Sequence, residues 1–136
     1  MFLIPTYLKE SSIHGIGVFT PDPIPAGTVI WRFHPDVDWR ITPDELESFP
    51  EPYQSRFRAY CYLLPEGIYV FCGDTAKFMN HSFTPNCDDP EGRITVTNRD
   101  IAADEELTSD YRTFDVESAE KGLGLYADAT VSDSAS

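Results

Sequence analysis

Short stretches of β-branched and aromatic residues, each bounded by proline or glycine, predict a domain built mainly of strands. Residues 18–20 and 28–33 have this pattern, and the three prolines between them exclude a helix and favour turns. We therefore expect an early β-hairpin. A further strand is predicted over residues 68–71, after a turn at residues 65–67.

Two helices are predicted between these strands. Thr42 can cap the first helix, with Pro43 at the first helical position and Glu45 completing a capping box. This helix should end near Phe49, because a proline follows. The second helix is expected over residues 52–62, where apolar residues recur at helical spacing.

A weak internal similarity links residues 24–30 with residues 101–107. Apolar, turn and strand positions coincide in the two segments. A solenoid would need several copies of such a unit. We therefore interpret the pair as two tight turns, each of which leads into a strand of a small sheet.

The chain length and the cysteines limit the class of protein. The 136 residues are enough for one domain with a real core. The N-terminus lacks the pattern of a signal peptide, and no apolar run is long enough to span a membrane. Cys61, Cys72 and Cys87 are odd in number and form no Cys-x-x-Cys pair. We therefore expect free thiols in a reducing, cytoplasmic compartment and no metal site.

The formal net charge of -13 argues against direct binding of nucleic acid, which requires a basic surface. A negative surface suits a basic partner, because its field would steer a lysine-rich segment inward. Simple acidity explains the charge equally well, since net charge bears on solubility and association rather than on fold.

The composition changes after Phe114, where small and acidic residues prevail up to the last residue. Such a segment has too few apolar side chains to form a core. We therefore divide the chain into a domain over residues 1–114 and a tail over residues 115–136, and we expect the tail to be mobile.

Three polar motifs interrupt the strand-like stretches. They are His14-Gly15-Ile16-Gly17-Val18-Phe19, Asn80-His81-Ser82-Phe83-Thr84-Pro85-Asn86 and Glu106-Leu107-Thr108-Ser109-Asp110-Tyr111. Taken singly, each has an ordinary structural explanation. The glycines can open a hairpin, His81 can be a buried structural histidine, and Tyr111 can be a core tyrosine.

In this order the three motifs resemble the SET domain, the family of S-adenosylmethionine-dependent protein-lysine methyltransferases. The resemblance extends from about Ser11 to Phe114. It implies a β-rich α+β domain of small twisted sheets with two short helices, and a knot-like crossing of the Tyr111 segment past the Asn80 loop.

The implied activity is methyl transfer to the side-chain amine of a lysine in a protein, with a basic segment as the expected substrate. Neither nucleic acid nor a membrane is expected as a partner, and the enzyme can act as a monomer or as a homodimer. Two alternatives remain open. One is a catalytically silent SET-like module that binds a basic peptide, and the other is a small β scaffold with neither activity.

The resemblance also implies which residues hold S-adenosylmethionine. The predicted members of this cofactor site are Gly15, Ile16, Gly17, Lys77, Phe78, Asn80, His81 and Tyr111. The Asn80 side chain and the His81 backbone would hold polar groups of the cofactor, and the Tyr111 hydroxyl would orient the amine and the methyl group in catalysis. Lys77 stands where the family often has arginine, and it lacks the planar fork of a guanidinium.

Methyl transfer needs a neutral amine in line with the methyl group, so positioning and desolvation carry most of the work. An apolar aromatic channel lowers the pKa of a lysine. By resemblance, Ser109 and Phe114 line this channel. Phe83 stands where many members have cysteine, and no cysteine-rich segment follows the third motif, so we expect no zinc module. Phe114, Leu125 or Tyr126 would close the channel instead.

Two further departures concern the third motif. Ser109 stands where the family commonly has phenylalanine or tyrosine, and its small volume predicts products beyond monomethyllysine. Its hydroxyl could hold a water, which argues the other way. Asp104 replaces the more usual glycine of the turn before Glu105 and Glu106, which changes a turn rather than the chemistry.

Overall fold

Strands dominate the computed structural model, which describes residues 1–118. Residues 119–136, with the candidate channel residues Leu125 and Tyr126, lie outside the described part. The strands are β1 Tyr7–Glu10, β2 Ile16–Phe19, β3 Val29–Arg32, β4 Trp39–Ile41, β5 Cys61–Leu63, β6 Tyr69–Phe71, β7 Asn80–His81, β8 Cys87–Asp88, β9 Ile94–Thr97 and β10 Glu106–Ser109. The helices are α1 Pro43–Glu47 and α2 Tyr53–Tyr60, and short 3-10 turns cover Thr75–Phe78, Pro90–Gly92 and Tyr111–Thr113.

Within residues 1–118 these strands form three small sheets, with the orders β1-β2-β10-β7, β3-β9-β8 and β4-β6-β5. The β10–β7 pair is parallel, and it aligns Thr108 with Asn80 and Ser109 with His81. Two motifs that lie far apart in sequence therefore run side by side. No helix of the described residues is long and apolar enough to cross a membrane.

The predicted hairpin between residues 18–20 and 28–33 is wrong. β2 pairs with β1 and β10, whereas β3 pairs with β9 in a different sheet. Prolines in the intervening segment remove backbone donors, so a continuous ladder cannot form there. Ile24 and Ile101 instead make an isolated bridge, with backbone hydrogen bonds of 2.9 and 2.8 Å in the two directions.

The two similar segments are turns that lead into strands, as predicted, and the Ile24–Ile101 bridge joins them. Gly27 and Asp104 occupy the same place in the two turns and both have positive φ, 81° and 64°. Aspartate tolerates this left-handed region better than most side chains. The turns then deliver β3 and β10 into separate sheets.

Both predicted helices are present. The capping box of α1 is complete, because Glu45 N donates to Thr42 Oγ1 at 3.1 Å and Thr42 N donates to Glu45 Oε1 at 3.0 Å. α2 ends at Tyr60, two residues earlier than predicted. Cys61 and Tyr62 extend instead and pair with β6, so the ladder of a sheet replaces the last turn of the helix.

The apolar side chains form two clusters. The larger contains residues of all three sheets, among them Val18, Ile30 and Val70. The smaller packs α1 and α2 on the third sheet around Leu46 and Phe57. All three cysteines are buried. These clusters fix the segments that carry the polar motifs.

Residues 115–118, which we assigned to the tail, pack against the domain. Asp115 Oδ1 accepts a hydrogen bond from Leu63 N at 3.0 Å, and Glu117 Oε2 accepts one from the Tyr69 hydroxyl at 2.6 Å. Arg58 adds an ion pair to Glu117 at 3.3 Å. Residues 115–118 are therefore anchored beside β5 and β6.

Candidate functional site

An open groove of about 550 Å³ passes between the glycine loop, the end of α2 and the segment from Thr75 to His81. Seven of the eight predicted cofactor residues line it, namely Gly15, Ile16, Lys77, Phe78, Asn80, His81 and Tyr111. Gly17 does not. The fold thus brings residues from three separate motifs to one surface.

Gly17 does not line the groove, but it leaves room for the side chain of Glu106. A Cβ at this position would lie 2.2 Å from Glu106 Oε2, so only glycine allows the carboxylate to approach. Gly15, by contrast, has a φ of 48°, which favours glycine for conformational reasons. One glycine therefore shapes the loop, and the other admits a neighbouring side chain.

Asn80 and Glu106 hold the glycine loop in place. Asn80 Nδ2 donates to His14 O and to Glu106 Oε2 at 2.9 Å each, and it lies 3.3 Å from Ile16 O. Ser11 Oγ donates to the same carboxylate at 2.8 Å. Asn80 Oδ1 accepts no hydrogen bond from residues 1–118, so an acceptor remains at the groove.

His81 is a buried residue that positions Tyr111. Its Nδ1 accepts a hydrogen bond from Tyr111 N at 3.1 Å and lies 3.7 Å from Asp110 Oδ1. Burial lowers the pKa of His81 more than the nearby Asp110 raises it, so the imidazole is neutral at neutral pH. His81 is therefore a buried structural histidine, and its role is to position the backbone of Tyr111 in the third motif.

The Tyr111 hydroxyl donates to Met79 O at 2.8 Å, and its ring packs against Phe114 with centroids 5.0 Å apart. Burial raises the pKa of Tyr111 well above its usual range, with smaller contributions from Cys72 and Asp89. The phenol therefore stays protonated. It can orient a ligand through its oxygen, but it is not a base at neutral pH.

A smaller cavity of about 30 Å³ lies next to the groove. Its lining residues are Trp31, Tyr62, Cys72, Ala76, Met79, Asp89, Thr95, Ser109, Tyr111 and Phe114. Five of them also line the groove, namely Tyr62, Cys72, Ala76, Met79 and Tyr111. The predicted channel residues Ser109 and Phe114 thus meet Tyr111 here, and these shared side chains separate the two spaces.

Lys77 lies at the rim of the groove. Its Nζ donates to Asp74 O at 3.2 Å and lies over the rings of Phe71 and Phe78, 5.6 and 5.3 Å from their centroids. The ammonium is thus held by a carbonyl and two aromatic faces. It provides a positive charge to the groove, although not the bidentate fork of arginine.

Sequence reasoning missed three residues of the site. Ser11 and Glu106 fix the glycine loop, and Asp89 places a carboxylate in the cavity. A signal for Glu106 was present, since it is a charged residue of the third motif. Asp89 gave no comparable signal, because an acidic pair after a turn is usually exposed.

A family model described as the SET domain matches residues 15–112, most of the chain. The chain belongs to the SET-domain family. The β-rich α+β fold with two short helices is therefore confirmed, and the three motifs occupy the matched region. The Asn80 loop and the Tyr111 segment of this SET domain lie in contact, as the resemblance implied.

The relatives of this SET domain include proteins named as histone-lysine methyltransferases. It is 35% identical over 128 residues to a candidate histone-lysine N-methyltransferase of Plasmodium falciparum, covering 86% of this chain and 2% of that protein. It is 33% identical over 113 residues to an H3 lysine-4 specific histone-lysine N-methyltransferase of Mycosarcoma maydis, covering 76% of this chain and 8% of that protein. The SET domain thus spans only a small part of these relatives.

A solved structure shares the fold. It is the crystal structure of a candidate histone methyltransferase of Plasmodium falciparum, with a TM-score of 0.58 and 20% identity. The match covers 79% of this chain and 93% of that chain. At this identity the likeness shows the fold alone.

Proposed function

We propose that this SET domain transfers methyl groups from S-adenosylmethionine to the side-chain amine of a lysine in a protein. The observation that carries the proposal is the shared wall between the groove and the cavity, with Tyr111 in it. Two spaces that share a wall containing this tyrosine suit a reaction in which a donor and an acceptor approach from opposite sides. The names of the relatives support the same chemistry.

The groove residues fit S-adenosylmethionine. Asn80 Oδ1 is an open acceptor suited to the ammonium of the cofactor, and Lys77 offers a positive charge to its carboxylate. Phe78 and Tyr60 meet edge to face with centroids 5.8 Å apart, which gives the groove an aromatic wall for an adenine ring. The bound cofactor supplies a methyl group on a positively charged sulfur.

The cavity suits the end of a lysine side chain. Its walls are mainly aromatic and aliphatic, with Asp89 among them. Such surroundings disfavour a pair of charges, so they favour transfer of the lysine proton and the neutral amine, which is the nucleophile. Its volume of about 30 Å³ corresponds to about two waters, or to the tip of an alkylamine. His81 fixes the Tyr111 backbone and Met79 O fixes its hydroxyl, so the wall is rigid where methyl transfer takes place.

A lysine-bearing basic segment is the proposed substrate. The net charge of -13 would attract such a segment and speed its encounter with the groove. The relatives are named for histones, which gives histone tails as a first choice for testing. A basic peptide without lysine serves as the matched control, because it keeps the charge and lacks the amine.

Binding and turnover test the proposal separately. Calorimetry with S-adenosylmethionine is expected to show one site per chain, and labelled methyl groups should pass from it into lysines of a cognate lysate. Binding without turnover would favour the silent module that binds a basic peptide. No binding at millimolar concentration would contradict both readings.

The product of the reaction is predicted to go beyond monomethyllysine, because Ser109 leaves the cavity open where an aromatic ring would fill it. Ser109 is 2% exposed, so a single added methyl group must enter the cavity. Ser109→Thr is therefore expected to shift the product towards monomethyllysine, with a smaller effect on the first transfer. Mass spectrometry of a peptide substrate over time measures this.

Ser109→Ala is the matched control, since it removes the hydroxyl without adding volume. It should keep the product distribution of the unaltered protein. Exclusive formation of monomethyllysine by the unaltered protein at saturating cofactor would contradict the argument from volume. A change with Ser109→Ala as large as that with Ser109→Thr would assign the effect to the hydroxyl.

A further inference from the structure

The cavity contains a carboxylate with an unused oxygen. Asp89 Oδ1 accepts a hydrogen bond from Thr95 Oγ1 at 2.5 Å, whereas Asp89 Oδ2 is buried and accepts none from residues 1–118. The Ser109 hydroxyl lies close enough to lower the pKa of Asp89, but the two do not form a hydrogen bond of normal geometry. No ion pair among the described residues involves Asp89. A buried, half-satisfied carboxylate is costly and calls for a partner.

The surroundings make Asp89 a better base than an ordinary aspartate. Burial is the main cause that raises the pKa of Asp89. The hydroxyls of Thr95 and Ser109 lower it by less, and the charge of Asp88 adds a smaller increase. A carboxylate with a raised pKa is closer to neutral pH and so accepts a proton more readily.

The other titratable groups that face Asp89 are Tyr62, Cys72, Cys87 and Tyr111. Burial raises the pKa of each of them, to about 12 for Cys87, so all four remain protonated at neutral pH. Among the residues that line the described cavity, Asp89 is therefore the group that can take up a proton there.

A lysine side chain reaches the cavity as an ammonium, because its pKa in water is about 10.4. The nitrogen has no lone pair until one proton leaves. Tyr111 cannot remove this proton, since it is itself protonated and donates to Met79 O. His81 lines the groove but not the cavity, so it does not meet the amine there.

We propose that Asp89 is the catalytic base of this SET domain, which removes a proton from the substrate lysine through its Oδ2 before methyl transfer. This inference rests on the proposed function. One N–H bond of the ammonium breaks, an O–H bond forms at Oδ2, and the electron pair stays on the nitrogen. The nitrogen then bonds to the methyl carbon while the carbon–sulfur bond breaks with its electrons on sulfur. The products are a methylammonium, a neutral thioether from the methyl donor and a protonated Asp89, which returns its proton to solvent.

Thr95 is a positioning residue in this scheme. It holds Oδ1 and thereby leaves Oδ2 as the oxygen that meets the amine. Because its hydrogen bond stabilises the ionised carboxylate, it also keeps the pKa of Asp89 from rising further. Removing the hydroxyl should shift the pH dependence of the reaction without removing the base.

Asp89→Asn provides the test, because it keeps the shape of the side chain and can still accept from Thr95. The rate of methylation of a lysine peptide is expected to fall by roughly 10²-fold at about pH 7, the usual contribution of a general base. The loss should shrink as the pH approaches about 10, where solvent deprotonates lysine. Cofactor affinity by calorimetry should not change, since Asp89 does not line the groove.

Asp88→Asn is the matched control. Asp88 is adjacent, carries the same charge and is exposed, so its variant should keep the rate at about pH 7. Its pH profile should move slightly to lower pH, because the charge of Asp88 contributes to the raised pKa of Asp89. Thr95→Val should move the acid limb of the profile to higher pH. An equal fractional loss at every pH in Asp89→Asn would mark a structural role and overturn the proposal, as would full activity at about pH 7.

A second measurement does not depend on turnover. Butylammonium carries the end of a lysine side chain, and its binding should shift the NMR signal of the Trp31 indole N–H, which lines the cavity, in the unaltered protein but not in Asp89→Asn. If butylammonium binds through Asp89 but no lysine is methylated, the proposed function is wrong and only the amine site remains. If methylation proceeds and its loss in Asp89→Asn is independent of pH, the base is wrong and the function remains.

Discussion

Tyr111→Phe is expected to slow methyl transfer by roughly 10²-fold or more, the effect of losing one well-placed catalytic hydrogen bond. The substitution removes only the hydroxyl, which is fixed by Met79 O, from a residue that lines both the groove and the cavity. His81 holds the backbone of residue 111, and Phe114 packs against its ring. The aromatic ring should therefore stay in place, and cofactor affinity should change little.

Single-turnover kinetics and calorimetry measure the two quantities, and Tyr69→Phe is the matched control. Tyr69 also loses a hydrogen bond, the one from its hydroxyl to Glu117, but it does not line the groove or the cavity. That variant should lose some stability and keep its turnover rate. Unchanged methylation by Tyr111→Phe would move the catalytic role to another residue, and failure of this variant to fold would favour an ordinary core tyrosine.

The features that the sequence predicted well depend on neighbours along the chain. The capping box of α1 uses Thr42 and Glu45, three residues apart, and each turn of the similar pair lies within seven residues. In these cases the side chains that decide the conformation lie within a few residues of each other along the chain. The order of the three motifs added the long-range arrangement through the family resemblance, which local patterns could not supply.

The features that the sequence did not predict depend on partners far along the chain. The strand β3 has a clear pattern, yet its partner is β9, more than sixty residues later, and nothing in the pattern specifies this choice. Tyr62 has helical spacing with α2 but pairs with Val70 in a sheet. Asp89 becomes a buried carboxylate only because Thr95, Ser109 and Tyr111 close around it.

Asn80→Ala is expected to weaken the binding of S-adenosylmethionine by about 1–3 kcal/mol, the usual cost of removing one partner from a buried polar contact. Two effects combine in this loss. The variant removes Oδ1, the open acceptor at the groove, and it removes the amide group that ties the glycine loop to Glu106. Asn98→Ala is the matched control, because Asn98 also donates to a carbonyl and a carboxylate, those of Pro85 and Asp88, but lies outside the groove.

Asn80→Asp separates the role of the amide nitrogen from that of the side-chain oxygen. In the unaltered protein Glu106 Oε2 and His14 O accept hydrogen bonds from Asn80 Nδ2 at 2.9 Å. In the variant these two oxygens would face a carboxylate oxygen, which repels them. Two carboxylates at this distance share a proton at raised pKa, and the protonated pair can donate again. Cofactor affinity of Asn80→Asp should therefore be lower than that of Asn80→Ala at neutral pH and recover as the pH falls, whereas Asn80→Ala should stay weak throughout. A higher affinity of Asn80→Asp than of Asn80→Ala at neutral pH, measured by calorimetry, would show that the loop does not depend on the amide nitrogen, and the role of Asn80 would then reduce to its oxygen alone.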